Sequence, residues 1–255
     1  MTFERRHGIL EILRRDGSVT LKELGTIYSD VSEMTLRRDL EYLEKLGEAV
    51  RIKGGARHIS MLVGERTDEV YSTRITRNRE GKEKIASIAL RYVETGRSIY
   101  LDSGTTVRAF ARIMPDEDFT ILTRGFDVAL ELTQKENPSV NIIGGLVNRD
   151  TQSVSGMQAL EFVKHLNFDL AFMSASAFSL GSGFSSGNYG GCEFKKHIVS
   201  QAKFKVMMLD SEKFNKVMPF TVADLSDFHV LVTDKKPSDE VLEAAEKHGV
   251  EVLWE

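Results

Sequence analysis

Two adjacent arginines, Arg37 and Arg38, follow Ser32 by five and six residues. A guanidinium is a planar fork that can meet guanine O6 and N7, or a phosphate, with two hydrogen bonds. Ser32 carries the short hydroxyl that accepts from the free amides of a first helical turn, and Leu36, Leu40 and Leu43 recur at i, i+4 and i+7. That spacing predicts a helix with a buried apolar stripe. Glu33, Met34, Thr35, Arg37 and Arg38 lie off the stripe near the N-terminal end, the end that enters a major groove in helix-turn-helix proteins. Asp39 is expected to pair with an arginine, and Gly47 to stop the helix. Arg51, Lys53, Arg57 and His58 then surround Gly54-Gly55, which reads as a two-stranded wing whose tip approaches a phosphate backbone. Upstream, Thr20 and Glu23 form a T-x-x-E capping box opening a short helix, and Ile9, Ile12 and Leu13 mark an earlier helix ending near Asp16-Gly17. The DNA-contacting set expected from this pattern is Thr20, Ser32, Glu33, Met34, Thr35, Arg37, Arg38, Arg51, Lys53, Gly54 and Gly55.

A second constellation is Ile99-Tyr100-Leu101-Asp102-Ser103-Gly104-Thr105-Thr106, an apolar strand running into small hydroxyl residues and then a helix. Free amides at a helix start, the missing side chain of Gly104 and the hydroxyls of Ser103, Thr105 and Thr106 together make an anion cradle. Thr123-Arg124-Gly125, Gly144-Gly145 and Asp210-Ser211-Glu212-Lys213 end other expected strands, and in parallel sheets such carboxyl-end loops converge on one crevice. Arg124 and Lys213 are the expected partners of a phosphate, Asp102 and Glu193 of sugar hydroxyls. Gly183-Phe184-Ser185-Ser186-Gly187 matches the G-x-S-x-G of hydrolases but lies among further glycines, and is read as a flexible loop; Gly181 to Gly191 could serve as a mobile lid. Cys192, Glu193 and His197 have no second Cys or His at metal-finger spacing, so no metal is expected.

These residues need elements to position them. Strands are expected near 98–101, 120–123, 140–143, 169–173, 205–209, 230–233 and 251–254, with helices between most of them, which implies a largely parallel sheet covered by helices. The polar, charged stretch 59–81 reads as a linker, giving residues 1–58 as one domain and 82–255 as another. The chain has 255 residues and a formal net charge of −4; residues 1–60 hold 11 Lys and Arg against 10 Asp and Glu, so the placement of arginines rather than bulk charge carries the nucleic-acid reading. One cysteine excludes an internal disulfide framework. No signal-like or membrane-spanning apolar run occurs, which points to the cytoplasm without membrane contact.

The run Val31-Ser32-x-x-Thr35-Leu36-Arg37-Arg38-Asp39-Leu40, followed by Gly47, Arg51 and Gly54-Gly55-Ala56, resembles the N-terminal domain of the DeoR family of bacterial regulators. The resemblance continues through Lys82 with Ile85-Ala86, Leu101 to Thr106, Gly144-Gly145, Gly156, Asp169 with Phe172, Glu193 with Lys195, Ala202, and Asp210 with Lys213-Phe214. Thr123-Arg124 stands where members commonly have Thr-Asn. The resemblance implies a winged helix-turn-helix joined to an α/β sensor domain similar in fold to ribose-5-phosphate isomerase. It implies a DNA-binding repressor of carbohydrate metabolism, a homodimer or homotetramer on double-stranded operator DNA, released by a phosphorylated sugar and needing no cofactor. The implied effector-binding set is Asp102, Ser103, Gly104, Thr105, Thr106, Arg124, Gly144, Gly145, Glu193, Lys195 and Lys213. Two other readings stay open: a sugar-phosphate isomerase, although the D-G-A-D-E and K-G-G-G stretches of such isomerases are missing, and a DNA-binding protein that takes no ligand.

Overall fold

Helix α1 (Thr2–Asp16) begins the chain in the computed structural model, which describes residues 2–59 and 70–255. Strand β1 (Ser18–Thr20), helix α2 (Leu21–Ile27), helix α3 (Glu33–Lys45) and strands β2 (Ala49–Ile52) and β3 (Gly55–His58) follow. Ile9, Leu10 and Leu13 of α1, Leu24 of α2, and Leu36, Leu40 and Leu43 of α3 close into one buried cluster, so the i, i+4, i+7 stripe does what its spacing requires. The wing differs from expectation. It has three strands in the order β1-β3-β2, because Ser18–Thr20 pairs antiparallel with β3. Three residues between a helix and a capping box are too few to show a period of two.

The chain divides into two units, residues 1–67 and 68–255. The second unit begins with helix α4 (Tyr71–Thr76) and helix α5 (Arg79–Ala89), where a linker was expected. Residues 71–81 therefore belong to the body, and the expected linker shrinks to 59–70, of which 60–69 lie outside the described residues. Tyr71 of α4 is buried, 6% exposed, as a body residue and not a linker residue would be.

The body continues with β4 (Ser98–Leu101), α6 (Thr105–Ile113), β5 (Thr120–Thr123), α7 (Phe126–Leu132), β6 (Ser139–Ile142), β7 (Leu146–Asn148), β8 (Ser153–Ser155), α8 (Met157–Val163) and β9 (Phe168–Met173). After these come β10 (Ala177–Ser179), β11 (Gly183–Ser186), α9 (Tyr189–Gln201), β12 (Ala202–Met208), β13 (Phe220–Ala223), β14 (Val230–Val232), α10 (Asp239–His248) and β15 (Glu251–Leu253). Seven strands form one wholly parallel sheet in the order β15-β14-β12-β9-β4-β5-β6. Side chains alternate between two cores. Ile99, Leu101, Leu170, Phe172, Val206 and Val230 pack with Ile85, Val107, Phe110 and Val128 on one face. Tyr100, Ala171, Met173, Met207 and Leu231 pack with Val163, Phe194, Ile198 and Val241 on the other.

From β4 the chain builds outward through β5 and β6; from β9 it builds the opposite way through β12, β14 and β15. The order reverses between β4 and β9, and in open α/β sheets ligands bind beyond the carboxyl ends of strands at such a switch point. Two smaller antiparallel sheets, β10-β11-β13 and β7-β8, were not expected. The first contains the glycine-rich stretch read as a flexible lid, so that reading is corrected. Gly183 has φ +67°, and a Cβ there would stand 2.5 Å from the Ala223 carbonyl oxygen; it permits close strand approach. Ser185 is wholly buried in β11 and its hydroxyl accepts from Met218 N at 2.9 Å, which leaves no exposed nucleophile. Among the described residues no helix is long and apolar enough to cross a membrane.

Candidate nucleic-acid interface and ligand site

The head presents α3 through local bonds that its sequence dictates. Ser32 Oγ accepts from Thr35 N at 3.2 Å. At α2, Thr20 N donates to Glu23 Oε2 at 2.7 Å while Glu23 N donates to Thr20 Oγ1 at 3.2 Å, a complete capping box. Asp39 is 1% exposed and takes Arg5 Nε at 2.6 Å and Arg6 Nε at 2.7 Å, so its partners are arginines of α1 rather than of α3. The expected pairing exists, but it anchors α3 to α1 and leaves the α3 arginines outside. Arg37 and Arg38 are exposed, Arg37 paired with Glu33 one turn back at 2.7 Å, and Met34 is 61% exposed. Exposed pairs of this sort contribute little and are readily exchanged for another partner.

On the wing, Lys53 and Arg57 are exposed, while Arg51 Nε holds Glu44 Oε2 at 2.6 Å. His58 turns toward Glu48 and sits away from the tip. The two glycines differ in role. Gly54 has φ +85° with nothing near a Cβ, whereas a Cβ on Gly55 would stand 2.1 Å from Val19 O and 2.8 Å from Thr20 Cα. Gly55 thus serves the β1-β3 pairing, which corrects its reading as a phosphate-approach residue. Gly55→Val is expected to cost about 1 to 3 kcal/mol by overpacking, whereas Gly54→Asn, placing a residue that tolerates positive φ, costs only a few tenths. Urea melts of the full chain followed by circular dichroism check this; equal losses in both variants would sink the distinction.

In the body, Asp102 ends β4 and is wholly buried. Its carboxylate takes Lys195 Nζ at 2.7 Å, Arg124 Nε at 3.3 Å and Ser174 N at 3.2 Å. Burial pushes this carboxyl up, but Lys195 and Arg124 together hold it below the usual carboxylate range. Arg124 also donates to Val154 O at 3.2 Å and lies over the Phe194 ring, and Lys195 donates to Ser174 O at 2.6 Å. The Asp102–Ser174 bond ties the ends of β4 and β9 across the switch point.

Gly104 caps α6 with φ +116°, and no side chain caps that helix. Thr105 and Thr106 are buried in the first turn, and Thr106 Oγ1 is buried with no hydrogen-bond partner. A Cβ on Gly104 would stand 3.4 Å from Ser174 Oγ and 3.9 Å from Arg74 Nη1. The reading from sequence missed Arg74, which reaches this point from α4. Helix α4 is pinned on several sides. Tyr71 N donates to Asp150 O at 2.9 Å, the Tyr71 hydroxyl donates to buried Asp127, Arg77 pairs with Glu212, and Lys82 Nζ donates to the carbonyls of Arg74 and Arg77. Lys82 is 5% exposed and its pKa is pushed down to about 8, first by burial and then by neighbouring Lys213 and Arg74. The signal for α4 is faint in sequence: Tyr71 and Ile75 at i, i+4, inside a run of charges.

Family comparisons divide the chain in the same way. A DeoR-like helix-turn-helix domain matches residues 5–61 and a DeoR C-terminal sensor domain matches residues 77–235. The chain belongs to the DeoR family. Its similar DeoR-type relatives include the helix-turn-helix transcriptional regulator YulB of Bacillus subtilis, 33% identical over 98% of this chain and 95% of that one. IolR, a transcriptional regulator of the same organism, is 31% identical over 94% of each chain. Its transcriptional repressor GlcR is 28% identical over 98% of this chain and 95% of that one. Among solved structures, a ribose 5-phosphate isomerase A from Methanocaldococcus jannaschii aligns over 54% of this chain and 55% of that one, at 19% identity and a TM-score of 0.40. This DeoR-family chain is therefore a helix-turn-helix transcriptional regulator with an α/β sensor domain.

Within the DeoR-type body, the residues expected to bind an effector fall into three groups. Asp102, Ser103, Gly104, Thr105, Thr106, Arg124 and Lys195 come together at the switch point, where Ser103 O accepts from Ser174 Oγ at 3.0 Å. Lys213 pairs with Asp210 at 3.4 Å beside Lys82. The others do not converge. Glu193 is taken up by Lys196 at 2.9 Å and, two positions from Lys195, points away from it around α9. Gly144 and Gly145 are exposed, and a Cβ on Gly145 would stand 2.7 Å from Ser155 O, so Gly145 lets the chain pass β8. Asp102 is also corrected: wholly buried and taken by Lys195, Arg124 and Ser174, it ties the strand ends together instead of facing a sugar hydroxyl. Among the described residues no cluster of three metal-ligating side chains forms.

Proposed function

We propose that this chain is a repressor of a carbohydrate-metabolism operon, binding double-stranded operator DNA through α3 and the wing and released by a phosphorylated sugar at the first turn of α6. The observation that carries the reading is the switch-point site itself: a helix start capped only by glycine, with Thr106 Oγ1 buried and unpartnered and Arg74 Nη1 3.9 Å from where a Gly104 Cβ would stand. Such a site favours a compact anion, since first-turn amides and the nearby guanidinium both attract it. Operator contacts are assigned to Met34, Thr35, Arg37 and Arg38 at the groove and to Arg51 and Lys53 at the backbone; Thr20 and Ser32 act mainly as caps and Glu33 orients Arg37. One head offers few contacts, so the protein acts as a homodimer or homotetramer on half-sites about 10 base pairs or multiples apart. It works in the cytoplasm and carries out no turnover, because the carboxylate nearest the cradle is buried and neutralised by Lys195 and Arg124.

The test is a thermal-shift screen of the full chain against pentose and hexose phosphates, followed by fluorescence anisotropy on DNA that the protein selects from a random pool. A ligand at 100 times its dissociation constant adds about 2.7 kcal/mol. The expected result is stabilisation by one sugar phosphate, not by its unphosphorylated sugar, with loss of DNA occupancy at the same concentrations. Stabilisation with product formation would favour an isomerase, and DNA binding indifferent to every sugar phosphate would favour a ligand-independent regulator.

A further inference from the structure

We infer that Arg74 is the side chain that grips the effector's anionic group, and that α4, the first described element after the head, is thereby the body's ligand-sensing segment. The inference rests on the anion site proposed above and names a residue and an element within it.

Four observations converge. First, the cations expected to meet a phosphate, Arg124 and Lys213, are already engaged with Asp102 and Asp210, and Lys195 shares Asp102 with Arg124. Second, Arg74 is not committed. Among the described residues its guanidinium makes one hydrogen bond, Nη2 to Asp150 O at 3.4 Å, lies 5.7 Å from the Tyr71 ring centroid and has no carboxylate partner, and its buried Nε has no hydrogen-bond partner. A half-buried fork with donors to spare and no carboxylate partner gains more from an oxyanion than a fully exposed arginine does. Third, Nη1 stands 3.9 Å from where a Cβ of Gly104 would be, over the uncapped start of α6, so the fork and the first-turn amides face one space. Fourth, a further cation stands beside Arg74: Lys82 Nζ donates to the Arg74 carbonyl, and the charges of Lys213 and Arg74 add to burial in lowering the pKa of Lys82, against Asp210 and Glu212.

The anchoring of α4 turns occupancy into a signal. Helix α4 is six residues long, too short to hold itself together in water, and its position depends on Tyr71 to Asp127, Lys82 to the Arg74 and Arg77 carbonyls, and Arg77 to Glu212. An anion bound by Arg74 adds one more tie between α4 and α6. That tie acts on the segment through which the chain continues back to residues 60–69 and the head, and it can shift populations only as far as the anion prefers one position of α4.

The experiment uses inorganic phosphate as the probe, with the full chain, at constant ionic strength made up with chloride. Thermal shift and calorimetric titration are run on the parent, Arg74→Gln, Arg74→Lys and the remote control Arg91→Gln. The expected result is a phosphate dissociation constant weakened at least tenfold in Arg74→Gln and at least threefold in Arg74→Lys, which keeps the charge and loses the fork, with Arg91→Gln unchanged. DNA affinity without ligand stays within twofold of the parent in all variants. Where the parent responds and Arg74→Gln responds within twofold of it, the assignment to Arg74 is overturned while the anion site stands. If Arg74→Gln does not fold, Arg74→Lys decides in the same way. A parent that responds neither to phosphate nor to any sugar phosphate overturns both.

Discussion

Asp102→Ala is expected to destabilise the body by about 3 to 5 kcal/mol, because it strands two buried cations, Lys195 at 2.7 Å and Arg124 at 3.3 Å, without a counter-charge. Asp102→Asn should cost nearly as much, since its amide keeps the shape and loses the charge. Glu193→Ala, on the outward side of α9, should change stability by less than about 0.5 kcal/mol. The difference between parent and Asp102→Asn also depends on pH. The folded carboxyl is held below its usual range, so its contribution is full above the unfolded value of about 3.9 and is lost as pH falls through the lower folded value. Urea melts at pH 7, 4 and 3 check the sign: the gap should be widest at pH 7 and close in acid. A gap that is the same at pH 3 as at pH 7 would show that the ion triad is not what holds these strand ends together.

Arg37→Ala and Arg38→Ala should each weaken operator binding by about 1 to 3 kcal/mol, with the larger loss at the position whose fork meets a guanine, and with specificity relaxed there. Lys53→Ala should instead weaken selected and scrambled DNA alike and lower the salt slope by about 1. Neither arginine bears on the head's packing: both are exposed, and the buried carboxylate on α3, Asp39, is matched by Arg5 and Arg6. A loss of affinity in these variants therefore reports the interface and not the fold. Fluorescence anisotropy at two salt concentrations is the measurement, and unchanged affinity in both arginine variants would remove α3 as the reading helix.

The head was legible from its residues because its signals are local. A cap, a stripe of period 3.6 and a glycine turn each act within a few positions, so Ser32, Leu36, Leu40 and Leu43 announce α3 without reference to anything distant. Where a partner lay far along the chain, the sequence did not say which residue it was. Asp39 could be expected to find an arginine, but Arg5 and Arg6 are more than thirty positions away, and only packing of α1 on α3 selects them. Gly54 and Gly55 look alike in sequence, yet one answers a turn dihedral and the other the approach of β1.

In the body the sequence by itself determined the parallel strands, the helices between them and the glycine-hydroxyl turn after β4, since burial on both faces of a strand writes a continuous apolar run. Tertiary structure decided the rest. Strand order put the switch point between β4 and β9 and so brought Ser174 to Asp102 across 72 positions. It matched Arg124 and Lys195 internally, turned Glu193 outward, and folded the Gly181–Gly191 stretch into strand and helix. It also lifted residues 71–81 from an expected linker into helices of the body. Their charges hide the fact in sequence, because an ion pair or a capped carbonyl depends on the distance between groups in space, and composition records only that the groups exist.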